Sequence, residues 1–274
     1  MSGERSGKYT PIDAAQWIED FAAEASKNLD KARLETINKD TPEFRRFETD
    51  VLIQVGLGRF FGSKFLAGVL YWICSKSGGR EALEEALKFY RIARDYWADL
   101  SEIAGKVYLP NVTVGKSSNL KGHWTDRLPA IDEDIADMAG KLELSENLTA
   151  NSEKIHKAMK EPLGRPVVTQ VICRHISPGK FKPGQELKLE LSSGEALHSA
   201  SLFYRHVNHA ERYQVKEMAL KGNLFQTTIP AEYTVTPYPI QYYFAIKTGQ
   251  GKSFLYPGFS TDLINMPYYV VQKT

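Results

Sequence analysis

The spacing of apolar residues changes along this 274-residue chain, from three and four residues apart to two residues apart near residue 167. The first spacing places apolar side chains on one face of a helix, and the second places them on one face of a strand. No helical pattern interrupts the later strands. We therefore predict an N-terminal α-helical bundle followed by an antiparallel β-sandwich of immunoglobulin or fibronectin III type.

Four helices are predicted in the first half, and two of them begin with the same signal. Thr10-Pro11 and Thr41-Pro42 each offer a capping hydroxyl followed by proline at the first helical position. Four helices are enough for an up-and-down bundle. The apolar spacing bounds them at about Thr10–Asn38, Thr41–Ser75, Arg80–Lys106 and Pro129–Leu142.

Four glycines lie inside the second predicted helix: Gly56, Gly58, Gly62 and Gly68. Each costs about 1 kcal/mol relative to alanine in a helix. We expect the reason to be close approach of another backbone or a large side chain, and a kink near Gly56–Gly58 is the alternative. Gly58 and Gly62, one turn apart, are expected at one close contact.

Three stretches lack a clear periodic pattern. Residues 1–9 are polar and are expected to be disordered. Residues 107–127 are predicted to form a long irregular loop, and ordered loops of that length are often functional. Residues 143–166 are interpreted as a linker, with a helical turn near Ser152–Met159. The predicted domains are thus the bundle at 10–142 and the sandwich at 167–274.

Seven or eight short strands are predicted in the second half. Pro178-Gly179, Pro183-Gly184 and Gly222-Asn223 are turn signals between them, and Leu187, Leu189 and Leu191 alternate along one strand. The predicted strands lie at 167–173, 186–191, 200–207, 213–218, 224–229, 240–247, 253–256 and 268–271.

Composition and charge exclude several classes of function. The net charge of +2 is too small for a nucleic-acid partner, which needs a dense basic face. The apolar run Val51–Cys74 carries Arg59, Lys64 and four glycines, so a buried helix is favoured over a membrane span. No signal peptide is recognised, and a soluble, cytoplasmic chain is the default expectation. Cys74 and Cys173 are expected to be separate buried thiols.

The first candidate site is the end of the long loop, at His123, Trp124, Asp126 and Arg127. A sugar ring could stack on the indole while the polar groups hydrogen-bond its hydroxyls. The structural alternative is that Trp124 plugs the bundle and that Asp126 or Thr125 caps the next helix.

A weaker candidate is the polar group Arg205, His206, His209 and Glu211. Two histidines and a carboxylate suggest a metal, but a strand would place His206 and His209 on opposite faces. A polar strand end is therefore favoured, and no metal is expected. The tyrosines and phenylalanines of the second half are interpreted mainly as core and cross-strand packing.

The motifs of several enzyme classes do not occur in the sequence. It has no Gly-x-Gly-x-x-Gly, no Walker loop, no Gly-x-Ser-x-Gly and no His-Glu-x-x-His. No pair of acidic residues can be assigned acid and nucleophile roles. The chain alone is therefore expected to be non-catalytic, and no cofactor is predicted.

Several strings resemble parts of large bacterial glycoside-hydrolase-like proteins. Phe60–Tyr71, Tyr90–Trp97 and Gly122–Leu128 resemble the helical region that follows their catalytic barrel, and Phe203–His206 and Tyr238–Phe244 are similar to their C-terminal accessory domains. A barrel needs about 250 residues and is not found in this sequence. The resemblance implies a C-terminal portion without the catalytic domain.

The expected function is a non-catalytic accessory or interaction module of a carbohydrate-active system. Its expected partners are carbohydrate or a catalytic partner domain. Two alternatives remain: a stand-alone hydrolase with its site between the two domains around His123, Asp126 and Arg127, and a structural assembly protein that associates through its bundle.

Overall fold

Within the described part of the chain, the first half forms five α-helices, and the first two begin where the sequence places their caps. The structure is a computed structural model that describes residues 7–144, 152–166, 171–249 and 251–274. The Thr10 hydroxyl accepts from the Asp13 backbone N–H, and the Asp13 carboxylate accepts from the Thr10 N–H, which closes a capping box. The helices are α1 (Pro11–Glu35), α2 (Pro42–Ser77), α3 (Arg80–Gly105), α4 (Leu128–Leu144) and α5 (Ser152–Leu163).

Helix α2 packs against α1 on one side and α3 on another, and its glycines allow both contacts. A Cβ atom at Gly58 would lie 2.9 Å from the Ala22 Cβ of α1, and one at Gly62 would lie 2.6 Å from the Glu19 Cγ. These distances confirm the predicted close contact of Gly58 and Gly62. Gly56 faces α3 instead, and α2 continues through it without interruption.

Helix α5 lies in the predicted linker, where a helical turn was expected near Ser152–Met159, and it extends over Ser152–Leu163. Its buried Ile155 and Met159 join the core of α2, α3 and α4, and the Ile155 Cδ1 lies 2.7 Å from where a Gly79 Cβ would be. This burial was not predicted, because only three turns of mostly polar sequence carry the apolar pattern. Residues 145–151 of the predicted linker lie outside the described residues.

The segment predicted as an irregular loop contains local structure. Strands β1 (Val112–Thr113) and β2 (Lys121–Gly122) pair antiparallel, and short 3₁₀ helices occupy Ser118–Leu120 and Trp124–Arg127. At the chain start, predicted to be disordered over residues 1–9, Tyr9 packs edge-to-face on Trp17 with ring centroids 5.0 Å apart. Residues 1–6 lie outside the described part of the chain.

In the described part of the second half, the strands form two sheets. The strands are β3 (Cys173–Arg174), β4 (Lys180–Phe181), β5 (Leu187–Ser193), β6 (Leu197–His206), β7 (Gln214–Glu217), β8 (Ala219–Lys221), β9 (Leu224–Ile229), β10 (Ile240–Thr248), β11 (Ser253–Tyr256) and β12 (Tyr269–Lys273). The four-stranded sheet has the order β3-β5-β9-β8, and the six-stranded sheet has the order β4-β12-β10-β6-β7, with β11 also paired to β10. All these pairs are antiparallel except β4 with β12.

One hydrophobic core takes residues from both sheets. Leu187, Leu189 and Leu191 of β5 are buried in alternation, as the period of two predicts. Tyr242 and Phe244 of β10 are fully buried in the same core, so their aromatic rings serve packing. Two of the first strand's predicted residues, Val171 and Cys173, also belong to this core, whereas residues 167–170 lie outside the described residues.

The chain divides into two units by its internal contacts. Among the described residues, the helical unit takes residues 9–144 and 152–166, and the β unit takes residues 171–249 and 251–274 together with Gly7 and Lys8. Cys74 and Cys173 are both free thiols. None of the helices in the described part of the chain combines the length and apolar character needed to cross a bilayer.

Candidate functional site

The predicted site residues of the long loop come together within one 3₁₀ turn. His123 precedes this turn: its backbone N–H donates to the Asp126 Oδ2 at 2.7 Å, and its Nδ1 accepts from the Thr125 N–H at 3.3 Å. Asp126 therefore closes a capping box on this 3₁₀ turn, whereas the structural alternative expected it to cap the helix that follows. Asp126 and Arg127 are exposed, and His123 and Trp124 are partly buried.

Trp124 is held in place by its neighbours but is only partly buried. Its carbonyl accepts from the Trp97 Nε1–H of α3 at 2.7 Å, and its ring lies 5.8 Å from the Tyr108 ring and 5.3 Å from the His123 ring. The indole is thus held by aromatic neighbours without being fully buried. It lines a cavity of about 270 Å³ together with Trp97, Val112, Val114, Leu120, Lys121, Gly122, His123 and Arg127.

The His123 Nε2 is buried and has no hydrogen-bond partner among the described residues. Buried polar atoms are normally paired, because an unpaired one costs free energy. The other ring nitrogen is paired with the Thr125 hydroxyl at 2.7 Å. A polar ligand group entering beside the imidazole would therefore gain a hydrogen bond at this end of the cavity.

A second cavity, of about 250 Å³, shares Trp97 and Arg127 with the first. Inside it, the Tyr90 hydroxyl donates to the Asp134 Oδ2 at 2.6 Å. Burial, and then this hydrogen bond, raise the pKa of Tyr90, so the phenol remains protonated. The complete lining is Phe60, Phe61, Lys64, Tyr90, Trp97, Arg127, Ala130, Ile131 and Asp134.

A third cavity, of about 660 Å³, shares Phe61 and Lys64 with the second and is lined mainly by apolar side chains. Phe61, Phe65 and Trp72 are 40%, 36% and 52% exposed, although aromatic rings are usually buried. At positions 61, 65, 68 and 72 they and Gly68 share one face of α2. No atom lies within 4 Å of a Cβ built at Gly68, so the glycine keeps this cavity open.

The second cavity shares lining residues with each of the other two, and we call these three neighbouring cavities on the helical unit the aromatic groove. Sequence reasoning identified one end of it, at His123, Trp124 and Arg127. It missed Phe61, Lys64, Phe65, Tyr90 and Asp134. The available signal was a second stripe of aromatic residues on α2, at positions 61, 65 and 72.

The weaker candidate residues form a hydrogen-bonded cluster in the β unit. The His206 Nδ1 lies 2.8 Å from the Glu211 Oε2, and its Nε2 lies 3.1 Å from the Tyr233 carbonyl oxygen. The Tyr233 ring stacks on the imidazole at 4.2 Å between centroids, and its hydroxyl donates to Glu211. Burial alone would raise the pKa of Glu211, but these hydrogen bonds lower it overall.

The other two candidate residues, Arg205 and His209, differ in their contacts. Arg205 donates to the Glu211 carbonyl at 3.1 Å and lies over the Tyr213 ring, whereas His209 is exposed. No group of three histidines, cysteines or carboxylates suited to a metal occurs among the described residues. Arg205 and His206 at the end of β6 both bond to Glu211, and these bonds connect β6 to the loop that follows it.

No protein-family model and no curated protein matches the chain. Two similar solved structures are carbohydrate-active enzymes, and the likeness to both is distant. A cycloalternan-degrading enzyme from Trueperella pyogenes is 25% identical over 27% of this chain and 10% of that one, with a TM-score of 0.23. A GH138 enzyme targeting pectin rhamnogalacturonan II is 12% identical over 81% of this chain, with a TM-score of 0.39. The chain spans 32% of that enzyme's length.

Proposed function

We propose that this chain is a non-catalytic accessory module of a carbohydrate-active system and that its aromatic groove binds a glycan. The supporting observation is that three neighbouring cavities, linked by shared lining residues, have aromatic walls and a few polar groups. Sugar rings present C–H faces that pack on aromatic rings, and their hydroxyls require hydrogen-bond partners. Trp124 and Phe61 supply such faces, and His123, Asp134 and Arg127 supply polar groups.

A binding role suits the groove better than hydrolysis does. Most glycoside hydrolases use two carboxyl groups, about 5–5.5 Å or about 6.5–9.5 Å apart. Among the described residues that line the groove, Asp134 is the carboxylate, and it accepts the Tyr90 hydroxyl. A single engaged carboxylate favours recognition of hydroxyl groups over acid–base chemistry.

The proposal extends to architecture and partners. We propose an immunoglobulin or fibronectin III-like sandwich for the β unit, which is supported by the core that both sheets share. We also propose a bundle at residues 10–142 for the helices that carry the groove. The second expected partner, a catalytic domain, stays a prediction.

The test is a binding screen against oligosaccharides with Trp124→Ala, matched by Trp17→Ala. Both indoles are partly buried and contact a tyrosine ring, but Trp17 does not line the groove. The carbonyl that accepts the Trp97 N–H survives the truncation of Trp124. We expect a stability loss of about 1–3 kcal/mol from its two ring contacts.

The expected binding result is at least a tenfold loss of affinity for Trp124→Ala in calorimetric titrations carried out well below the melting transition. Trp17→Ala should bind like the unmodified protein. Equal glycan binding by all three proteins, or no binding of any oligosaccharide in the screen, would contradict the proposed function.

A further inference from the structure

Lys64 presents a cation in the middle of the aromatic groove. Its Nζ lies 5.3 Å from the centroid of the Phe60 ring and 5.4 Å from that of the Tyr90 ring. The side chain lines both the second and the third cavity and is exposed to solvent. Within the described part of the chain, its ammonium forms no ion pair.

The platform beneath this ammonium is rigid. Phe60 and Tyr90 are 3% and 5% exposed, and the Tyr90 hydroxyl is fixed by Asp134 at 2.6 Å. The face of an aromatic ring attracts a cation, but it carries no lone pair that would accept a conventional hydrogen bond from the ammonium. The ammonium is therefore held in position while its N–H donors remain for a group that enters the cavity.

The charge around the cavity favours an anionic group. Two cationic side chains, Lys64 and Arg127, and one carboxylate, Asp134, line this cavity. Asp134 is already engaged by the Tyr90 hydroxyl. An ammonium and a guanidinium at one cavity can both donate charge-assisted hydrogen bonds to a carboxylate.

We infer that the second cavity recognises the carboxylate of an acidic sugar, so that the bound glycan contains uronate residues. The sugar ring packs against Phe61 and Trp97, and its carboxylate pairs with Lys64 and Arg127. A cavity of about 250 Å³ matches one sugar ring, with neighbouring rings extending into the adjoining cavities. This inference rests on the proposed function, because it names the glycan class for the same groove.

The experiment compares oligogalacturonate and oligomannuronate with their carboxyl-reduced counterparts, which are neutral sugars of the same linkage. Calorimetric titration should give at least tenfold tighter binding of one acidic oligomer than of its reduced form, as expected for a charged hydrogen bond. The preference should weaken as salt is raised, because partly exposed ion pairs are screened.

Variants assign the preference to Lys64. Lys64→Met should bind the acidic and the reduced oligomer alike, and Lys64→Arg should restore most of the preference. Lys88→Met is the matched control, because Lys88 is an exposed lysine of α3 that pairs with Glu85 outside the groove. It should retain the full preference.

Two sets of results separate the inference from the proposed function. Equal binding of acidic and reduced oligomers, an undiminished preference in Lys64→Met, or tighter binding of sulfated galactan oligomers would overturn the uronate inference alone. Acidic oligomers that bind without any dependence on Trp124, or a complete lack of glycan binding, would overturn both.

Discussion

The glycines of α2 allow a matched pair of substitutions that tests how this helix is packed. A Cβ at Gly56 would lie 2.7 Å from the Leu100 Cβ and 3.1 Å from the Leu100 Cδ2, and Leu100 is 1% exposed. Carbon atoms pack best at about 3.5–4.0 Å, so α3 would have to move. A Cβ at Gly68 would meet no atom within 4 Å.

The two substitutions share one favourable contribution and differ in another. Replacing either glycine by alanine gains about 1 kcal/mol of helix propensity. Gly56→Ala also overpacks the core, at a cost of about 1–3 kcal/mol. Gly68→Ala should therefore stabilise the helical unit by about 1 kcal/mol, and Gly56→Ala should be about 1–3 kcal/mol less stable than Gly68→Ala.

Urea unfolding followed by circular dichroism at the helical band measures the difference directly, because the helical unit dominates that signal. The comparison requires equal slopes of free energy against urea in both variants. Equal stability of Gly56→Ala and Gly68→Ala would refute the close packing of α2 on α3. Destabilisation by Gly68→Ala would refute the open groove at that position.

Two further predictions concern pH and the fifth helix. Burial lowers the pKa of His175, whose Nε2 lies 2.7 Å from the Tyr242 hydroxyl, so its neutral form should stabilise the β unit fully above about pH 6.5. That contribution should be lost as the pH falls through the lower folded pKa of His175. The free energy of unfolding, measured in urea, should therefore depend less on pH in His175→Gln. An unchanged pH dependence in that variant would contradict the prediction. Ile155 is buried in the core of the helical unit, so Ile155→Ala should destabilise this unit by about 2–5 kcal/mol and expose α5 to trypsin. Leu163 is exposed, so Leu163→Ala should have neither effect. Equal effects of the two substitutions would show that α5 is not packed as described.

Much of the secondary structure could be predicted because its causes are local. Thr10 and Thr41 cap their helices through hydroxyl groups within three residues of the N–H groups they accept from. The alternation of Leu187, Leu189 and Leu191 lies within one strand. By contrast, β1 and β2 are two residues long, and so short a strand has no period that a sequence could reveal.

The candidate site also has one part that could be predicted from neighbouring residues and another part that could not. His123, Trp124 and Arg127 are neighbours in sequence, so their shared turn could be anticipated. Lys64 and Asp134 are 70 positions apart, and only the packing of α3 on α2 and of α4 on α3 brings them to one cavity. Spacing shows that Phe61 and Phe65 share a face, but it does not show whether another helix covers that face.

The uncovered face of α2 is the feature that most needs an explanation beyond stability. Phe60, Ala67 and Leu70 already bury one side of this helix, so folding does not require aromatic residues on another. Full burial of a large apolar side chain contributes roughly 1.5–3 kcal/mol, and rings that are 36% to 52% exposed forgo part of that free energy. Such exposure is expected where a ligand or a partner covers the surface. Phe61 also lines the second cavity beside Lys64, Arg127 and Asp134, so a molecule that combines apolar faces with polar groups, such as the proposed glycan, suits this surface.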